Sequence, residues 1–76
     1  MRDTAIELSV KEQQVIQSVW SGHTDDEIAQ SLGISINTVK SHLKNIYRKL
    51  AARNRIDALR ISIEQGIIIV DQPNIH

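Results

Sequence analysis

The chain has 76 residues, with nine basic and nine acidic side chains, no cysteine and a formal net charge of zero. That length allows one small domain, and the missing cysteine excludes disulfide bonds and thiolate metal sites, so helix packing or oligomerisation has to supply stability. The longest apolar run, GIIIV at 66–70, is too short to span a bilayer, and no secretory apolar segment follows Met1. We therefore expect a cytoplasmic protein without a membrane partner.

Two capping boxes mark the starts of the first two predicted helices. In each, a hydroxyl residue is followed three positions later by glutamate, so that each side chain satisfies the other residue's backbone N–H. The two pairs are Ser9 with Glu12 and Thr24 with Glu27. Apolar residues at helical spacing follow each pair, and glycines that tolerate positive φ, Gly22 and Gly33, come after them. We predict helices over about 10–21 and 25–32.

The third predicted helix, over about 36–51, has two distinct faces, and Ser35 is its N-cap candidate. The face that we expect to be buried is apolar and consists of Ile36, Val39, Leu43, Ile46 and Leu50. The other face is polar and cationic and consists of Asn37, Lys40, Ser41, Lys44 and Arg48. A short helix, a tight turn at Gly33 and this second helix form a helix-turn-helix arrangement, which presents its second helix to the DNA major groove.

The positive charge of the chain is concentrated in this region. Residues 36–56 sum to +6 and contain no carboxylate, whereas residues 1–35 sum to −4 and residues 57–76 sum to −2. A helix that needs only solubility usually mixes the two signs to gain pairs one turn apart. Unmixed positive charge is unfavourable unless a phosphate backbone offsets it. A solvated helix face is the usual reading of an isolated charge run, but this pattern favours DNA.

A fourth helix is predicted over about 55–65, between an N-cap at Asn54 and a stop at Gly66. Its apolar residues do not fit one stripe, so one face can pack on the core while another apolar face stays exposed. A small domain rarely leaves such a face unused. We expect a weak dimer through Ile56, Leu59, Arg60 and Ile63. The alternative is that this face packs on the core and Ile61 is exposed.

Together these elements predict an all-α fold, a four-helix bundle that contains a helix-turn-helix. The residues EIAQSLGIS (27–35), TVKSH (38–42) and KLAARNR (49–55) closely resemble the DNA-binding domain of bacterial transcription regulators of the LuxR/NarL/GerE type. The resemblance covers about residues 8–69, so we expect a single LuxR-type domain over 1–76. It implies that helix three is the recognition helix and that helix four mediates dimerisation on two DNA half-sites.

The resemblance also implies roles for individual residues. It implies base contacts by Lys40, Ser41 and Lys44, to which the polar face of helix three adds Asn37 and Arg48. The candidates for phosphate contacts are Thr24, Thr38, His42, Lys49, Arg53 and Arg55. Asp26 departs from the family pattern, which often has a basic or polar residue there, and a carboxylate would repel phosphate.

No pattern in the chain indicates an enzyme or a bound cofactor. There is no nucleophile–base pair and no glycine loop for phosphate, and the histidines His23, His42 and His76 fit no metal-ligand spacing. The acidic run Asp25–Glu27 is explained by capping and by the helix dipole. We expect neither catalytic activity nor a metal site.

We therefore predict a sequence-specific DNA-binding transcription regulator, either a stand-alone protein or the output domain of a longer one. Its expected partners are double-stranded DNA and a second copy of the chain, and RNA polymerase is a further candidate. The alternative is an interaction module of the same fold that pairs with another regulator and modulates it without binding DNA. The basic face of helix three favours DNA binding, because a pure interaction module need not keep such a face.

Overall fold

The computed structural model describes residues 7–70, and these form four α-helices without a β-strand. The helices are α1 (Val10–Trp20), α2 (Asp25–Leu32), α3 (Ile36–Leu50) and α4 (Arg55–Glu64). The predicted all-α fold is confirmed, and each helix begins at its predicted residue and ends within one residue of the predicted end. No helix among the described residues is long and apolar enough to cross a membrane.

Side-chain caps fix the start of each helix. In α1 the Glu12 N–H donates to Ser9 Oγ at 3.1 Å, and the Ser9 N–H donates to Glu12 Oε1 at 2.9 Å. Thr24 and Glu27 form the same reciprocal pair at α2. Single caps begin the other two helices, Ser35 accepting from the Thr38 N–H and Asn54 from the Asp57 N–H. The local signals in the sequence are therefore the contacts that start the helices.

A three-residue connection separates α2 from α3. Gly33 adopts a left-handed conformation with φ of 69°, which glycine tolerates because it has no Cβ. The next residue, Ile34, donates its N–H to the Ala29 carbonyl at 3.0 Å and so closes the end of α2. This turn lets α3 leave at once in a new direction while both helices contribute to one core.

The core is centred on α3, which packs against each of the other three helices. The buried apolar residues are Leu8, Val15, Ile16, Val19, Ile28, Ala29, Val39, Leu43, Ile46, Leu50, Ala58 and Ile68. One member of the predicted buried face of α3 is misplaced, because Ile36 is 38% exposed. A helical wheel assumes that a face is covered along its whole length, but the first residue of α3 lines an open recess together with polar side chains.

The fourth helix packs on the core through Ala58 and Ser62, which are fully buried, and through the half-buried Ile61. The expectation that a second apolar face stays exposed agrees with this structure, since Ile56 is 78% exposed and Ile63 is 36% exposed. The alternative with Ile61 as the exposed residue is wrong.

After α4 the chain returns across α1 in an irregular conformation. The Ser62 carbonyl accepts from the N–H groups of Ile67 and Ile68 at 2.8 and 3.1 Å. The side-chain amide of Gln17 both donates to the Ile69 carbonyl, at 3.3 Å, and accepts from its N–H, at 3.2 Å. These bonds hold Ile68 in the core without forming a strand.

We predict that Ala51→Gly stabilises the domain. Ala51 is exposed and ends α3 with φ of 55°, a left-handed conformation that is unfavourable for any residue with a Cβ. The strain energy relieved in the folded state should exceed the cost of the conformational entropy that glycine adds to the unfolded chain. The free energy of unfolding should therefore rise by roughly 0.5–1 kcal/mol. Urea unfolding measures this, and Ser21→Gly is the control, because Ser21 is exposed with φ of −74° and should lose stability. Equal losses in both variants would contradict the prediction.

Candidate nucleic-acid interface

The polar face of α3 lies opposite its buried stripe and is open to solvent. All five predicted base-reading residues are exposed on it, namely Asn37, Lys40, Ser41, Lys44 and Arg48. Within residues 7–70, Lys40 and Lys44 form no ion pair. Arg48 Nη2 donates to Asn45 Oδ1 on the same helix at 3.2 Å. The structure therefore places the candidate residues together on one rigid helix, with their charges directed away from the core.

Three further residues predicted to contact phosphate, Thr24, Thr38 and His42, differ in exposure. Thr38 is half-buried, and its hydroxyl shares a 2.9 Å hydrogen bond with the hydroxyl of Ser35. His42 is half-buried as well. The Thr24 hydroxyl caps α2 and is exposed. Each hydroxyl thus has a structural role at a helix start.

Lys49 is not an unpaired cation. Its Nζ lies 2.8 Å from Glu12 Oε1, although the two residues are 37 positions apart in the chain. The Glu12 side chain is only 6% exposed and that of Lys49 is 33% exposed. The expectation that the basic region lacks acidic partners is therefore wrong at this position, since a carboxylate of α1 reaches the end of α3.

The Glu12 carboxylate is stabilised in its charged form. Burial alone would raise the pKa of Glu12, but the hydrogen bond and charge of Lys49, together with the Ser9 N–H, outweigh burial and hold it below its ordinary value. One carboxylate thus caps α1 and ties α1 to the last turn of α3. This pair therefore helps to hold α3 in place against α1.

Arg55 is also paired within the domain. Its Nη2 lies 3.1 Å from Asp25 Oδ1, which joins the first turn of α4 to the first turn of α2. Burial lowers the pKa of Arg55, but the hydrogen bond to Asp25 and the nearby Tyr47 outweigh burial and raise it. Arg53 differs from Arg55 in two ways. Its side chain is 87% exposed, and its Nε lies 3.8 Å from Asp57 Oδ2, a longer contact than the 3.1 Å pair of Arg55. Of these two arginines, Arg53 is the one more available to a ligand.

One surface recess collects residues from three helices beside the start of α3. It is lined by Thr24, Asp25, Asp26, Ile36, Lys40 and Arg55. Asp26 is exposed and forms no ion pair within the described part of the chain. The recess is therefore mixed in charge and, at the α2 side, unfavourable for a phosphate. Farther along α3, the exposed Lys44 and Arg48 have no carboxylate partner among the described residues.

The predicted dimer residues differ among themselves. Ile56 and Ile63 are exposed, whereas Leu59 is half-buried against the core. Arg60 is held along its own helix by Asp57 at 2.7 Å and Glu64 at 3.0 Å. Hydrogen bonds from the Arg53 N–H and from Arg60 lower the pKa of Asp57. The exposed face is thus apolar at Ile56 and Ile63, and the arginine between them is paired with two carboxylates of its own helix.

Within residues 7–70, no three histidine or acidic side chains are grouped so that they could hold a metal ion. His23 is exposed, His42 lies on α3, and His76 falls outside the described residues.

Residues 7–62 match the family described as bacterial regulatory proteins, luxR family. The chain belongs to the LuxR family. Over 65 residues it is 40% identical to the transcriptional regulatory protein YdfI of Bacillus subtilis (strain 168). This aligned stretch covers 86% of this chain and 30% of YdfI. It is also 38% identical over 53 residues to the HTH-type transcriptional regulator MalT of Cronobacter sakazakii (strain ATCC BAA-894), covering 70% of this chain and 6% of MalT.

The fold of the LuxR-type domain is also found in a solved structure. The response regulator ChrA of a heme-sensing two-component system superposes with a TM-score of 0.77 and 35% identity, over 90% of this chain and 32% of that one. The chain thus spans less than a third of each of these relatives. The resemblance seen in the sequence is confirmed, and the family and its named relatives are transcriptional regulators rather than enzymes.

Two residues that shape the interface escaped the sequence reasoning. Glu12 and Asp25 each have a convincing local role in a helix start, and nothing nearby in the sequence indicates a partner 37 or 30 residues away. An acid-free segment in the sequence is therefore not an acid-free surface in the structure.

We predict that Glu12→Gln flattens the acid-induced loss of stability. Because the folded-state pKa of Glu12 is lowered, its contribution is complete above the ordinary value of 4.5 and is lost as the pH falls below it. Unfolding free energies of the wild type should therefore decline more steeply than those of the variant between about pH 5 and pH 3. The variant should lose roughly 1–2 kcal/mol at pH 7, since Lys49 loses its partner.

The matched control is Glu27→Gln. It removes one carboxylate from the equivalent capping box of α2, where the described residues include no basic partner. The unfolding free energy of Glu27→Gln should fall with decreasing pH as steeply as that of the wild type. If Glu12→Gln also kept the wild-type slope, the pairing with Lys49 would contribute nothing to folding.

Proposed function

We propose that this LuxR-type domain binds double-stranded DNA in a sequence-specific way, with α3 in the major groove. The observation that carries the proposal is the exposed polar face of α3, on which Lys40, Ser41 and Lys44 lie without carboxylate partners among the described residues. Lysine donates to the O6 and N7 acceptors of guanine, and serine can bond to either donor or acceptor groups. Asn37 and Arg48 extend this face at its two ends.

Backbone contacts come from residues around that face. Arg53 is the strongest candidate because its side chain is 87% exposed. The hydroxyls of Thr24 and Thr38 and the imidazole of His42 are further candidate donors that would help to set the position of the domain on the duplex. Lys49 and Arg55 contribute less than unpaired cations would, because Glu12 and Asp25 already neutralise part of their charge.

The same proposal includes a dimer on two half-sites. The exposed face of α4, with Ile56 and Ile63 at its centre and Leu59 and Arg60 beside them, supports it. A two-fold contact requires one self-complementary patch, which a single helix face can provide. Regulation of transcription in the bacterial cytoplasm, and any contact with RNA polymerase, belong to the whole regulator and follow only if DNA binding holds.

We predict that Lys44→Ala weakens binding to the preferred site by about 1–3 kcal/mol and relaxes the preference at one base pair. The preferred site is first selected from a random DNA pool, and affinities for selected and scrambled duplexes are then measured at fixed salt. Lys11→Ala is the matched control, because Lys11 is an exposed lysine of α1, away from the polar face of α3. Equal losses on both duplexes would reduce Lys44 to a phosphate contact. Failure to select any sequence would support the interaction module instead.

We predict that Ile63→Asp abolishes cooperative binding to a full site and leaves half-site affinity unchanged. A carboxylate on each copy would meet its equivalent across the two-fold axis and repel it. DNA titrations with half-sites and full sites test this, alongside sedimentation of the free domain. Ile69→Asp places the same charge on another exposed isoleucine, outside α4, and should remain cooperative. A folded Ile63→Asp variant with wild-type cooperativity would rule out this dimer face.

A further inference from the structure

Ile36 is the exception on the surface of α3. The other exposed residues of this helix are all polar, namely Asn37, Lys40, Ser41, Lys44, Arg48 and Lys49. Ile36 is 38% exposed and lies one helical turn before Lys40 on the same side. Single exposed isoleucines are ordinary on protein surfaces. This one stands at the start of the helix that we propose as the DNA reader.

The surroundings of Ile36 offer it no apolar cover on its exposed side. It borders the recess whose other lining residues are Thr24, Asp25, Asp26, Lys40 and Arg55, all of them polar or charged. The formal charges of that recess cancel, since two carboxylates stand against Lys40 and Arg55, so it is not a strongly basic site. The side chain of Ile36 has no donor for a phosphate oxygen, and its favourable contact on DNA is therefore with an apolar group of a base.

The N-terminal residues of a recognition helix are the ones that reach the base edges in a helix-turn-helix complex. In the major groove, the apolar group that an isoleucine can contact is the C5-methyl group of thymine. We infer that Ile36 reads a thymine methyl group in each half-site, adjacent to the base pair contacted by Lys40. This inference rests on the proposed function and adds a specific base preference to it.

The contact gives Ile36 a role in specificity rather than in overall attraction. A thymine would be favoured over cytosine at that position, because cytosine lacks the methyl group and presents an amino group that an isoleucine cannot satisfy. Neighbouring lysines would contact guanine acceptors. The start of α3 therefore reads a combination of one apolar and one polar feature on adjacent base pairs.

Deoxyuridine supplies the test, because it differs from thymidine only by the C5-methyl group. Each thymine of the selected site is replaced singly by deoxyuridine, and affinities are measured for the wild type, Ile36→Ala and Ile36→Val. At one position in each half-site, replacement of thymine by deoxyuridine should weaken wild-type binding roughly fourfold, which is the effect of one buried methyl group. Ile36→Ala should bind the thymine and deoxyuridine sites equally. The loss of affinity shown by Ile36→Val should lie between those of the wild type and Ile36→Ala. Val10→Ala, which shortens an exposed apolar residue of α1, should keep the wild-type sensitivity.

The outcomes separate this inference from the proposal on which it rests. Sequence-specific binding without a sensitive thymine, or with the same sensitivity in Ile36→Ala, would overturn the role of Ile36 and leave DNA binding by α3 intact. Absence of sequence-specific binding by the wild type would overturn both. Substitution of 5-methylcytosine at the sensitive position should recover part of the affinity lost with unmodified cytosine, since it restores the same methyl group.

Discussion

The burial of one stripe of α3 is the constraint on which the rest of the structure depends. Val39, Leu43, Ile46 and Leu50 pack against the other three helices, so α3 can neither rotate about its axis nor tilt without opening the core. Because one stripe is fixed inward, Lys40 and Lys44 are fixed outward. In a domain this small, the residues that stabilise the fold and those that orient the candidate reading face belong to one helix.

Electrostatic contacts refine that arrangement at the two ends of the interface. Glu12 ties the last turn of α3 to α1, and Asp25 ties the start of α4 to α2. Both carboxylates pair with cations of the basic region, which leaves less unpaired positive charge on that surface. Non-specific binding to DNA depends mainly on unpaired cations. Under the proposed DNA binding, sequence preference would then depend more on the exposed lysines of the central face.

The parts of the structure that the sequence predicts well are those with local causes. Helix starts were predictable because Ser9, Thr24, Ser35 and Asn54 bond to N–H groups three residues away, and the buried face of α3 was predictable because its spacing is helical. The pairing of Lys49 with Glu12 was not, because no local pattern specifies which distant side chains meet. Ile36 was misplaced for a related reason, since its environment is set by the neighbouring helix starts.

The composition of the α4 face has a consequence for how the two proposed half-sites would be read together. Arg60 is already satisfied by Asp57 and Glu64, so a contact between two copies would depend mainly on Ile56 and Ile63. Two isoleucines from each copy bury far less apolar area than a stable protein dimer requires. Association in solution would then be weak, and DNA would supply the missing energy by holding two copies at high effective concentration. Under that arrangement, an isolated half-site is bound poorly even when every base contact of α3 is made. Discrimination between full and half-sites would come from α4, although in this proposal only α3 would contact the bases.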